Sequence, residues 1–143
     1  MNLEKLLVSL GVEVVRGLFL SRWINDNLFK GFFPLPRHDP RKTAPPFLNH
    51  FVGGHGWESV GDTVLFARRG CHGVIHLAPL TCMPEIVAQS VMNQVRQALG
   101  IPVMTIYLDE HTGRGGFETR IEAFVDMLSW KKNRLYKKAY REG

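Results

Sequence analysis

The stretch Gly73-Val-Ile-His-Leu-Ala-Pro-Leu-Thr-Cys82-Met-Pro-Glu-Ile-Val-Ala-Gln-Ser90, with the run Val103–Leu108 that follows it, decides the fold. Gly73–Leu77 is a short apolar run and predicts a buried strand. Pro84 suits the first turn of a helix. Ile86, Val87, Val91, Val95 and Leu99 then recur at helical spacing, and Gly100 is a natural stop. Val103–Leu108 reads as a strand of the fully buried kind. Strand, helix and strand at these lengths form a crossover unit joining parallel strands.

Working outward, residues 57–69 predict a helix with Val60, Val64, Leu65 and Ala67 inward, entered through the glycine turn Gly53-Gly54-His55-Gly56. Gly115-Gly116 opens a last helix reaching about residue 141, with Ile121, Phe124, Val125, Leu128 and Leu135 inward. Residues 2–10 place Leu3, Leu6, Leu7 and Leu10 on one helical face, and Val12–Val15 reads as a short β-branched strand. Residues 18–29 suggest a further helix. Residues 31–48, with Pro34, Pro36, Pro40, Pro45 and Pro46, make an irregular connection, either a functional loop or a flexible excursion. The expected fold class is α/β: a three-layer Rossmann-like domain with a small, mostly parallel sheet of three to four strands flanked by helices, spanning 1–143 as one domain. The chain opens on a helix where such units usually open on a strand, so an upstream element is expected. A sheet this thin leaves an edge exposed, which predicts a homo-oligomer.

Composition bounds the function. Hydrophobic residues at 45% supply a core, and no apolar run approaches the roughly 20 residues of a membrane helix. The start has neither the basic nor the apolar region of a signal peptide, so a cytoplasmic protein with no membrane contact is expected. The net charge of +5 lies wholly in residues 131–143, which hold Lys131, Lys132, Arg134, Lys137, Lys138 and Arg141 against Glu142. The rest is balanced. Positive charge in the last turns complements a helix dipole, which argues against a nucleic-acid surface.

Sites in open parallel sheets gather beyond the carboxyl ends of the strands. Here those ends hold Thr81-Cys82-Met83-Pro84-Glu85 and Asp109-Glu110-His111. Cys82 falls between a strand end and a helix start, where free N–H groups and the helix dipole favour a thiolate, the form that ligates iron or zinc. The alternative is a buried, inert cysteine. Cys71 precedes the strand and Cys82 follows it, about 20 Å apart at strand rise, too far for a disulfide or a shared cluster. Cys71 therefore reads as a packing residue. His50, His55 and Glu58 have metal-like types at a spacing that matches no zinc signature. The glycine turn offers N–H groups to an anion, but no P-loop Lys-Ser/Thr pair follows. His76 reads as a satisfied core histidine. Asp109, Glu110 and His111 hold acid–base types in one loop, or simply turn and cap chemistry.

The run from Gly73 to Ser90 resembles a segment of the acyl-CoA dehydratase activase-related proteins, relatives of the 2-hydroxyacyl-CoA dehydratase subunits and the double-cubane-cluster proteins. Gly53-Gly-His-Gly-Trp-Glu-Ser-Val, Ile101-Pro-Val-Met-Thr-Ile-Tyr-Leu-Asp-Glu-His-Thr-Gly, Glu118-Thr-Arg-Ile-Glu-Ala-Phe-Val-Asp-Met-Leu and Leu10-Gly-Val-Glu-Val-Val are similar to the same family, in order along nearly the whole chain. The resemblance implies the C-terminal part of an oxygen-sensitive iron–sulfur protein served by an ATP-dependent activase. Cys82 is the one residue that matches a cluster cysteine. Thr81, Glu85, Asp109, Glu110 and His111 match motif positions, and His55 and Glu58 belong to the matching glycine segment. Longer family members carry further cysteines upstream, and one thiolate cannot hold a 4Fe-4S cluster. Arg114-Gly-Gly also departs from the acidic and small residues expected after His-Thr-Gly.

Three functional readings follow. The first is an electron-transfer or activator-type domain, inert alone, that supplies Cys82 to a cluster completed by a partner subunit or a missing N-terminal half. The second is a non-catalytic module that binds a protein or a CoA-like ligand and holds no cluster. The third is a small hydrolase or transferase using Cys82 as nucleophile with His111 or His55 as base.

Overall fold

The computed structural model describes residues 2–17, 40–108 and 114–142. Around the deciding stretch it holds a strand β1 (Val74–Pro79), a helix Met83–Leu99 and a strand β2 (Val103–Leu108), the two strands pairing in parallel with Val74 opposite Val103 and Pro79 opposite Leu108. Numbered in chain order, the helices are α1 (Leu3–Ser9), α2 (Pro40–Thr43), α3 (Gly56–Arg68), α4 (Met83–Leu99) and α5 (Arg114–Glu142).

Local chemistry sets the ends of these elements. The Asn2 side chain accepts a hydrogen bond from the Lys5 N–H at the start of α1. Pro84 occupies the first turn of α4, where its missing N–H costs nothing. Gly100 closes α4 in the left-handed conformation at φ 63°, which a residue with a Cβ adopts only under strain.

Strand alternation separates two cores. Val74, His76 and Ala78, with Val103, Thr105 and Tyr107 across the ladder, share one face. On that side α3 and α4 pack through Val60, Val64, Ala88, Met92 and Val95, with Ala44, Phe47, Leu48 and Trp57 alongside. On the other side Ile75, Met104 and Ile106 meet Leu7 of α1 and Phe117, Ile121 and Val125 of α5. Helices thus cover both faces of a parallel sheet, the α/β arrangement expected from the sequence.

The sheet has two strands among the described residues rather than three or four. Val12–Val15 is not a strand: Val12 and Val14 turn into the α1–α5 core, but the segment pairs with no strand among the described residues. Instead the Val12 N–H donates to the Leu7 carbonyl, and Arg16 pairs with Glu4, which folds the segment back along α1. In α4 the buried positions are Glu85, Ala88, Met92 and Val95, whereas Ile86 and Leu99 are exposed. The helix is turned from the apolar face expected, because Glu85 points inward. The proline-rich connection is structured over its described part: α2 is one helical turn, Ala44 is fully buried, and Trp57 Nε1 donates to the Leu48 carbonyl at 3.2 Å. The expected helix over 18–29, the connection before residue 40 and the loop Asp109-Glu110-His111 lie outside the described residues. Among the described residues no helix is long and apolar enough to cross a membrane.

The first turn of α3 touches the first turn of α4. A Cβ on Gly56 would stand 2.2 Å from the Pro84 carbonyl oxygen, so only glycine permits this approach. Gly56→Ala should destabilise the fold by about 1–3 kcal/mol through overpacking. Gly115→Ala, where a Cβ meets open space in a helix, should be neutral or stabilising. Urea denaturation of the two variants side by side checks the pair.

Candidate functional site

The carboxyl end of β1 continues into a tight turn. The Leu80 N–H donates to the Leu108 carbonyl at 3.0 Å, extending the strand pairing, and the Cys82 N–H donates to the Pro79 carbonyl at 3.1 Å. Thr81 sits within this turn at φ 82°. That conformation suits glycine, and a β-branched residue there stores strain, on the order of 1–3 kcal/mol.

Cys82 is the N-cap of α4 at φ −79° and ψ 99°, and its carbonyl accepts from Glu85 and Ile86. Its side chain makes no capping hydrogen bond and is partly exposed. The thiol therefore stands at the end of a strand and the start of a helix, as the sequence predicts.

Glu85 occupies the third position of α4. A glutamate there commonly reaches back to the N-cap N–H. Here the Pro79 carbonyl already satisfies that N–H, and the Glu85 carboxylate turns into the core instead. It is 5% exposed. Its Oε2 lies 2.6 Å from His76 Nε2, and its Oε1 accepts from Ser59 Oγ at 3.1 Å. His76 Nδ1 lies 3.3 Å from Thr105 Oγ1, its neighbour across the ladder. A carboxylate only accepts, so His76 Nε2 carries a proton. With a neutral ring, Nδ1 accepts from the Thr105 hydroxyl; with a charged ring, it donates to that oxygen. Either way one hydroxyl rotor completes the chain. Burial raises the Glu85 pKa, but hydrogen bonds from His76 and Ser59 and the charges of His76 and His55 outweigh it, and the net shift is downward.

The glycine turn comes to this place. Gly53 and Gly54 lie against the Pro84 ring, at positive φ, and His55 is the N-cap of α3. Glu58 follows in the first turn of α3, and its Oε2 is buried with no hydrogen-bond partner among the described residues. The structure therefore gathers His55, Glu58, Thr81, Cys82 and Glu85 where the first turns of α3 and α4 meet. His50 and His72 are exposed. Cys71 precedes β1 and lines a cavity of about 520 Å³ with His72, Leu99, Leu128 and Lys131, at the opposite strand end from Cys82.

Sequence reasoning found His76 as a core histidine but missed that Glu85 is its partner, and it missed Ser59 entirely. A serine in the first turn of a helix looks like ordinary helix-start chemistry, so nothing local marks its role.

Among the described residues no group of three or more histidine, cysteine or acidic side chains is placed to hold a metal ion. Cys82 is the one thiol at this end of β1. A four-iron cluster takes three or four such ligands, so the described donor set does not fit one by itself.

The Glu85 shift carries a pH dependence. Its folded pKa lies below the model-peptide value of 4.5, so the folded chain binds fewer protons than the unfolded chain near and below that value. The resulting stability is fully present above the unfolded pKa and is lost as pH falls through the folded one. Urea midpoints should drop with acidification below about pH 5, and Glu85→Gln should flatten that part of the profile. His76→Leu, which strands the buried carboxylate, should cost about 3 kcal/mol at neutral pH.

No curated protein and no solved structure matches the chain. The family model of the 2-hydroxyglutaryl-CoA dehydratase D-component matches residues 63–128, a span that takes in β1, Cys82, all of α4, β2 and the first half of α5. This central stretch, with the candidate thiol inside it, is thus similar to that dehydratase family and relates the chain to 2-hydroxyacyl-CoA dehydratase systems.

Proposed function

We propose that the chain is an activase-related, electron-transfer-type domain of a 2-hydroxyacyl-CoA dehydratase system, in which Cys82 supplies one thiolate to a 4Fe-4S cluster. The remaining ligands come from an upstream half or a partner subunit, and an ATP-dependent activase delivers the electrons. Alone, the chain turns over no acyl-CoA substrate.

The observation that carries this reading is the position of Cys82. It caps α4 at the carboxyl end of β1, is partly exposed, and makes no capping hydrogen bond. A thiol held there is presented outward by two rigid elements, which suits a ligand shared across an interface. The dehydratase-family match spans the same residues. The unfilled donor set follows from the same reading: one corner of a ligand set belongs to this chain, and the others to its neighbour. His76, Glu85 and Ser59 then act at a distance, locking the first turn of α4 so that the thiol is held in one place.

The test is anaerobic reconstitution with iron and sulfide, in the presence of a small thiol that can stand in for missing ligands. The native chain should develop the visible thiolate-to-iron absorption, and Cys82→Ala should not, while Cys71→Ala behaves as the native chain does. Equal absorption by Cys82→Ala would defeat the reading. No absorption from any variant, together with measurable coenzyme A binding by calorimetry, would favour the cluster-free binding module instead.

A further inference from the structure

The amino ends of the two strands carry a cavity that the Cys82 site does not use. Its volume of about 520 Å³ falls within the roughly 300–1,000 Å³ of small-ligand pockets. It lies where the end of α3, the loop before β1, the end of α4 and the middle of α5 come together.

Part of the wall is apolar. Ala67 of α3, Leu99 of α4 and Leu128 of α5 line the cavity, and Leu99 is left 37% exposed. Gly73 makes room for the Leu128 side chain at the start of β1: a Cβ there would stand 2.9 Å from both Leu128 methyl carbons.

The charged part of the wall has one sign. Lys131 and Lys132 line the cavity, three and four residues after Leu128 and so on the same side of the helix. None of the described residues that line it is acidic. Asp126 stands two residues before Leu128, which puts it on the opposite side of α5. Arg68 and Arg69 at the end of α3, and Arg96 in the last turn of α4, add positive charge to this end of the molecule. Helix ends bring carbonyl groups here as well, but those of two lining residues are already engaged. The Ala67 carbonyl accepts from the Gly70 N–H at 3.2 Å, and the Gly100 carbonyl accepts from Lys131 Nζ at 2.6 Å. An ammonium group has three N–H donors, so this bond holds Lys131 at the wall and leaves two donors for a ligand. Cys71 and His72 complete the lining, and Cys71 is a free, partly exposed thiol.

We infer that this cavity binds an organic acid: a carboxylate on an apolar chain, the carboxylate at Lys131 and Lys132 and the chain along Ala67, Leu99 and Leu128. An inorganic anion would leave the apolar wall unused, and an amine would meet two like charges. The inference stands apart from the cluster reading, because no residue of the Cys82 site lines the cavity.

The experiment is titration calorimetry on the full chain with decanoate, decylammonium and acetate, paired with mass spectrometry of iodoacetamide alkylation at Cys71 and Cys82. Decanoate should bind with a dissociation constant on the order of 1 mM or below. It should slow alkylation of Cys71 while Cys82 reacts as before. Decylammonium and acetate should do neither. Lys132→Glu, a change at an exposed side chain, should weaken decanoate about tenfold with unchanged circular dichroism. Ala67→Phe, which fills the apolar wall, should remove the protection of Cys71. Decylammonium binding as tightly as decanoate, acetate protecting as well as decanoate, or native affinity in Lys132→Glu would overturn the inference. So would equal protection of both cysteines, or protection of neither.

Discussion

The buried contact between Glu85 and His76 is the constraint around which this end of the molecule is arranged. It joins the first turn of α4 to β1, and Ser59 brings α3 to the same carboxylate. A carboxylate at 5% exposure is tolerable only with partners at both oxygens, and it has them. The inward turn of Glu85 also sets the rotation of α4. Ala88, Met92 and Val95 follow it into the core, one and two and three turns on, and Ile86 is left outside. The price in apolar burial at Ile86 is offset by a defined helix register.

That register matters because Cys82 is one turn away. The thiol owes its place to three features that act together: the strained turn at Thr81, the close approach of Gly56 to the Pro84 carbonyl, and the Glu85 anchor. Each restricts the backbone of the first turn from a different direction. Pre-positioning of this kind lowers the ordering cost of forming a bond to whatever the thiol meets.

Much of the architecture is legible in the residues. Pro84 and Gly100 frame α4, and Val103–Leu108 matches β2 end to end, because these elements carry local signals of capping and apolar continuity. The position of Cys82 between strand and helix follows from the same signals. The Glu85–His76 pair is not legible, since it depends on the rotation of a helix against a strand, and a glutamate in a first helical turn has an adequate local explanation. Val12–Val15 fails differently. Its alternation does place Val12 and Val14 inward, but a strand also needs a neighbour, and alternation alone cannot supply one. The convergence of the glycine turn on Pro84 was equally hidden, because loop residues carry no periodicity from which to place them.

The order of β1, α4 and β2 has a kinetic side. Among the described residues the two strands pair across a single helical crossover, so this pairing closes through one contiguous piece of chain. Loop closure is then cheap for a parallel pair, and the helix that spans the crossover forms from its own capping signals. The strand pair within Val74–Leu108 therefore needs no other described segment to close it. In a polypeptide leaving the ribosome, α5 emerges after β1, α4 and β2, so the sheet face that it covers stays open until that helix follows.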